Sequence, residues 1–178
     1  DGASVGAADG AALGAAVVGD ALGDALGDAL GDALGAAVGG AVGSVVAGSC
    51  RQLQALSLAS IEEVSDASVE ALAAGCVELR ALCLNGCERI TDQALRALAR
   101  GCANLRALHR FGCSRIGADG GRAIAEGCQQ LASLDLTCSN AATDASLYAL
   151  AEACGSTLRG LGAGGGKVSD AAVAALAG

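Results

Sequence analysis

Nine cysteines and one histidine are the residues of this chain best suited to catalysis or metal binding. A zinc site needs ligand pairs such as Cys-x-x-Cys, with histidine or a second pair nearby. The closest cysteines in one turn are Cys83 and Cys87, and the one histidine is His109; neither fits that spacing. A nucleophile needs a base, and the base needs a third group to orient it. Cys83 and His109 are far apart along the chain, so only the fold could pair them, and no motif surrounds either one. The stretch GAGGGK (162–167) is a phosphate loop only at a glance. It lacks the G-x-x-x-x-G-K-[ST] spacing, and Val168 follows the lysine. The expectation is a non-enzyme with no catalytic residue, no metal site and no cofactor.

The cysteines do carry a different signal. Cys50, Cys76, Cys102, Cys128 and Cys154 stand at one constant interval along the chain. Disulfides staple unlike loops and give irregular spacing, whereas a fixed period puts each cysteine at the same place in a repeated unit. Unit 76–101 reads CVELRALCLNGCERITDQALRALARG, and similar units span 50–75, 102–127 and 128–153, with a glycine-rich one at 154–178. Within a unit the hydrophobic period changes. Leu79, Leu82 and Leu84 end on the alternation of a short half-buried strand. A polar turn follows, then a hydroxyl residue and an aspartate: Ser65–Asp66, Thr91–Asp92, Thr143–Asp144 and Ser169–Asp170. The hydroxyl suits a helix N-cap, and the aspartate suits the positive end of the helix dipole. Val69 and Leu72, Leu95 and Leu98, Leu147 and Leu150, and Val173 and Leu176 then fall at helical spacing.

Each unit is therefore read as strand, turn and short helix. No unit buries its apolar face alone, so the units stack into an α/β solenoid with a parallel concave sheet and convex helices. The pattern C-x-x-L-x-x-L-x-L-x-x-C-x-x-I-T-D-x-x-L resembles the cysteine-containing leucine-rich repeats over residues 50–178. The likeness is strongest at Cys76, Leu79, Leu82, Leu84, Cys87, Ile90, Thr91, Asp92, Leu95 and Leu98. Such repeats occur in F-box proteins that select substrates for cullin-based ubiquitin ligases and in antagonist-of-mitotic-exit proteins. The resemblance implies a leucine-rich-repeat scaffold that holds a protein partner. It also implies that Cys87 and Cys113, in the turn after the strand, are buried against loop backbone. The alternative is a structural or regulatory repeat protein unrelated to ubiquitin.

Two units break the pattern. In the third, Arg110 stands where Leu58, Leu84 and Leu136 stand, Gly117 replaces the capping hydroxyl and Gly121 replaces a helix leucine. A buried unpaired guanidinium is costly, so Arg110 is expected to snorkel outward or to distort its unit. The fifth unit loses one residue between Leu158 and Lys167.

The chain divides by composition. Residues 1–49 hold Asp1, Asp9, Asp20, Asp24, Asp28 and Asp32 and no lysine, arginine, cysteine or aromatic residue. They carry most of the formal −8, so the remainder is nearly neutral and offers no footprint for nucleic acid. GDALGDALGDALGDALG (19–35) combines helix-weakening glycines with repelling aspartates at i, i+4. Residues 1–40 thus read as a low-complexity linker or weak helix, and 41–49 as a degenerate cap on the repeat domain 41–178. Its regularly spaced aspartates do not match a calcium-binding repeat. The chain begins at Asp1 and has no methionine, which suggests a fragment. No apolar run is long enough to span a membrane, and the periodic thiols suit a reducing compartment, cytoplasmic or nuclear.

The outward strand positions are the place to seek a partner. They form three columns: Gln54, Arg80, Arg106, Ala132 and Arg159; Ser57, Cys83, His109, Asp135 and Gly162; Ala59, Asn85, Phe111, Thr137 and Gly164. Arginine and aromatic residues commonly anchor interfaces. The candidate contact site is Arg80, Asn85, Arg106, His109, Phe111 and Asp135. Cys83 is expected on this face and Cys138 near the following turn, either of them open to solvent.

Overall fold

The computed structural model describes Gly48 and residues 50–177. Apart from Gly48, which is helical and exposed, the linker expected at 1–40 and the cap expected at 41–49 lie outside the described residues. Five strands alternate with five helices: β1 (Ala55–Ser57), α1 (Asp66–Gly75), β2 (Ala81–Cys83), α2 (Asp92–Gly101), β3 (Ala107–His109), α3 (Ala118–Gly127), β4 (Ser133–Asp135), α4 (Asp144–Cys154), β5 (Gly160–Gly162) and α5 (Asp170–Ala177). The strands form one parallel sheet in chain order. Leu56 pairs with Leu82, Leu82 with Leu108, Leu108 with Leu134 and Leu134 with Leu161. This is the expected α/β repeat solenoid.

Parallel neighbours need a crossover, and here the helix of each unit supplies it. The strand leucines Leu82, Leu108 and Leu134 are buried, together with the flanking Leu79, Leu105 and Leu131. Burying one such side chain contributes about 1.5–3 kcal/mol. Each of α1 to α4 buries adjacent positions, and in α3 two of them look opposite ways. A Cβ added at Gly120 would meet Leu95 of the preceding helix, whereas one added at Gly121 would meet Ser146 and Ala141 of the following unit. That division explains a departure from the sequence reading. Val173, expected in the core, is 51% exposed, while Ala172 beside it is buried. Ala172 faces back toward α4, and no described helix lies on the side Val173 faces.

Helix ends approach closely. A Cβ on Gly101 would run into the Ala73 carbonyl, and one on Gly127 would sit 2.5 Å from the Ala99 carbonyl oxygen. The left-handed region, where side chains are strained, is entered once per unit, at Ser60, Gly86, Gly112, Cys138 and Gly165.

The fifth unit is offset from the period of the others. Its strand pairs Ser133 with Gly160, one residue late, because the turn Gly155–Thr157 holds an extra residue. The turn after Gly165 is one residue shorter, so Ser169 comes back into step with Thr143 of the unit before.

Candidate functional site

The sheet face turned away from the helices is built from short side chains. Ala55, Ala81, Ala107, Ser133 and Gly160 are register partners in one column. Ser57, Cys83, His109, Asp135 and Gly162 form the other strand column. The six candidate contact residues lie on or just beside three neighbouring strands, β2 to β4. His109 and Asp135 are half-buried and in register, and the His109 ring nitrogen Nε2 lies 3.4 Å from Ser133 Oγ. Arg80 and Arg106 stand exposed one residue before β2 and β3. Arg159 takes the same place before β5 and is also exposed.

Phe111, two residues after β3, is 49% exposed. Its amide donates to Asn85 Oδ1 at 2.8 Å, so Asn85 ties one unit to the next. Asp135 Oδ1 accepts from the Thr137 amide at 2.9 Å. The result is a floor of small residues with arginines along one margin and Phe111 along the other.

Cys83 departs from expectation. It lies on the outward column, yet it is buried at 5% exposure, a short side chain in register beside the larger His109. Cys138 is the exposed cysteine, in the turn after β4.

The periodic cysteines do more than fill space. The Cys76 thiol donates to the Cys50 carbonyl, Cys102 to Cys76, Cys128 to Cys102 and Cys154 to Cys128, at 3.5–3.7 Å. Cys87 donates to the Leu58 carbonyl at 3.1 Å and Cys113 to the Leu84 carbonyl at 3.3 Å, against loop backbone as the resemblance implied. Cys50, at the start of the ladder, is only half-buried. Burial pushes the thiols of Cys87 and Cys128 up to about 12 and that of Cys102 to about 11. Such groups stay protonated near neutral pH and make poor nucleophiles and poor metal ligands.

A second ladder was not read from the sequence. Asp66 accepts from both the amide and the hydroxyl of Thr91, each at 2.7 Å. Asp144 does the same for Ser169, at 2.7 and 2.8 Å, and Asp92 accepts from the Gly117 amide at 2.6 Å. Each aspartate thus fastens the N-cap of the next helix, in addition to meeting its own helix dipole. The signal was present as an aspartate recurring at one place in the repeat, but its target lies one unit away. Ala118 lacks the carboxylate, and at the next junction the Thr143 amide donates to Ser146 Oγ instead, at 3.0 Å.

Arg110 neither snorkels nor distorts its unit. Its side chain is fully buried, and β3 keeps its register on both sides. The strand alternation that turns Leu84 and Leu136 inward turns Arg110 inward too. All three guanidinium nitrogens lack a hydrogen-bond partner. Burial lowers its pKa to about 10, against the opposing influence of Cys113, Asp135 and Asp92.

No group of three His, Cys, Asp or Glu side chains able to hold a metal occurs among the described residues. Two surface recesses lie on the other side of the sheet, between neighbouring helices. One is lined by Arg96, Arg100, Ala123 and Glu126, and another by Glu70, Ala97 and Arg100. No helix among the described residues is long and apolar enough to cross a membrane.

No protein-family model matches this chain, and no curated protein does either. Solved structures do. A chain of the yeast Rad7 and Elc1 complex is similar at 24% identity and a TM-score of 0.56, covering 74% of this chain and 37% of that one. The tropomodulin C-terminal domain of Caenorhabditis elegans is similar at 14% identity and a TM-score of 0.56, covering 77% of this chain and 87% of that one. This chain thus spans little more than a third of the Rad7–Elc1 chain it matches. At such identities the likeness is one of fold: an α/β repeat solenoid built from parallel strands and helices.

Proposed function

We propose that this chain is a non-catalytic protein–protein interaction scaffold of the cysteine-containing leucine-rich-repeat kind. It holds a protein partner on the concave face of its sheet. The observation that carries this reading is the row Arg80, Arg106 and half-exposed Phe111 beside His109 and Asp135, over a floor of small residues. A planar guanidinium and an aromatic ring over a shallow surface are what a protein partner uses as anchors. The fold does set Cys83 in register with His109, but the hydrogen bond of the His109 ring among the described residues is to Ser133 Oγ, so no nucleophile–base contact supports an enzyme. That one similar structure is of a chain in a two-protein complex agrees with a scaffold.

Within that reading, substrate recognition for a cullin-based ubiquitin ligase is the form suggested by the repeat pattern, with ligase subunits engaged through regions outside this chain. A structural or regulatory repeat protein outside the ubiquitin system is the second form. Affinity purification with mass spectrometry separates them, comparing wild type with Phe111→Ala, Arg106→Ala. Cullin adaptors with both proteins, and one further protein lost with the variant, support the ligase form and the site. Absence of adaptors removes the ligase form. Identical partners for variant and wild type remove the concave site.

A further inference from the structure

The charged residues of this protein are disposed in two ways. On turns and helices, Arg89 pairs with Glu63, Arg96 with Asp119, and Arg122 with Asp119 and Glu126. None of these pairs reaches the outward strand face, where Arg80, Arg106 and Arg159 make no ion pair among the described residues. Arg80 and Arg106 occupy neighbouring strands, about 4.8 Å apart in a sheet, and like charges so placed repel. The one acidic residue in the outward columns is Asp135, and one of its carboxylate oxygens is already engaged by the Thr137 amide. The face therefore combines uncompensated positive charge with an exposed phenyl ring.

The opposite chemistry lies in the same chain. Residues 1–49 carry six aspartates and no basic residue. In 19–35 the unit Gly-Asp-Ala-Leu repeats, placing Asp20, Asp24, Asp28 and Asp32 two residues from Leu22, Leu26, Leu30 and Leu34. Each repeat thus offers a carboxylate for an arginine and an apolar side chain for Phe111. Reach is ample: the chain from Asp32 to Cys50 can extend up to about 60 Å. Five strands span only about 20 Å. A tethered segment also meets its site at an effective concentration on the order of millimolar, so a few exposed ion pairs suffice where they would fail between separate molecules.

We propose that the aspartate–leucine segment 19–35 docks on the Arg80, Arg106, Arg159 and Phe111 face of its own chain and competes there with an outside partner. This deepens the proposed function, since it regulates the same surface, and it rests on that reading only for the competition. Electrostatic docking of this kind weakens steeply with salt. Neutralising the aspartates is then expected to raise the apparent affinity for an outside partner, by freeing the face.

The full chain supplies its own probes, having no tryptophan and an exposed cysteine, Cys138, in the turn after β4. In a Cys50→Ser background, bimane on Cys138 is read with and without Leu26→Trp, which quenches on contact. At low salt the expected result is roughly twofold quenching, abolished at about 0.5 M salt. The same loss is expected in Arg80→Ala, Arg106→Ala, Arg159→Ala and in Asp20→Asn, Asp24→Asn, Asp28→Asn, Asp32→Asn. Arg80, Arg106 and Arg159 make no ion pair with any described residue, so the thermal midpoint of the repeat body should hold in the arginine variant. Absence of quenching, or quenching indifferent to both charge variants, overturns self-docking. The two proposals fail separately. A partner lost with Phe111→Ala in a protein that shows no quenching leaves the interaction surface standing without self-docking. Charge-dependent quenching in a protein whose partners ignore Phe111→Ala does the reverse.

Discussion

Units 76–101 and 102–127 have the same backbone and very different side chains. Both begin with a buried cysteine, both place glycine at the left-handed turn position, and their strands pair in register. The first keeps Leu84 in the core, caps its helix with Thr91 and buries Leu95. The second puts Arg110 in the core, starts its helix at Gly117 without a side-chain cap and has Gly121 where a leucine would fill space. The defective unit is held from outside. Asp92 of the preceding unit fastens Gly117, the Cys113 thiol reaches back to Leu84, and Cys128 of the following unit donates to Cys102. The comparison teaches that conformation here is set by nearest-neighbour contacts, as expected of a solenoid. One unit's faults are tolerated because two neighbours impose the backbone.

Alkali attacks what the two units share and should give the largest effect. Thiols raised in the folded state contribute stability that is fully present below their unfolded pKa of 9.0 and lost as pH rises through 11–12. Each thiol removes up to about 1.4 kcal/mol per pH unit in that window. Unfolding by urea under reductant should therefore show stability level from pH 6 to 8.5 and collapsing above 9. Arg110 titrates with the opposite sign: its folded pKa is depressed, so its penalty is complete below about 10 and eases only above it.

The core exchange comes next. Leu84→Arg, which makes the sound unit resemble the faulty one, should cost about 3–5 kcal/mol, and Arg110→Leu should gain about 1–4 kcal/mol. Both are read from urea midpoints; if Leu84→Arg costs under about 1 kcal/mol, burial of the guanidinium is not the fault it is taken to be. Smaller changes are expected in the aspartate ladder. Asp66→Ala removes two hydrogen bonds at Thr91 and should cost about 1–2 kcal/mol. Ala118→Asp restores the missing step toward Thr143 and should add about 0.5–1 kcal/mol, with a matching rise in amide-exchange protection at the start of α4.

Periodicity made most of this architecture legible. The regular spacing of cysteine and leucine, and the change of hydrophobic period inside each unit, specify strand, helix and stacking order without reference to any partner element. The outward columns were legible too, because alternation along a strand assigns faces, and Arg80, Arg106, His109 and Phe111 are gathered as that alternation requires. Where local rules left a choice, they failed. Cys83 was placed on the correct column, but its depth was not legible, since burial depends on neighbouring strands that alternation along one strand does not describe. Val173 was placed in the core because its helical spacing is right, yet its burial requires a further helix beside it.

The sequence alone therefore determined the repeat, the order of its elements and the face each strand residue occupies, because these follow from the repeat, helix and strand periods carried along the chain. Only the tertiary structure decided that Asp66, Asp92 and Asp144 serve the following helix, that the thiols of Cys76, Cys102, Cys128 and Cys154 meet the preceding unit's carbonyl, and that Arg110 stays inside. Those contacts join residues about one repeat apart, and parallel stacking brings them within hydrogen-bond distance only once the neighbouring units are in place.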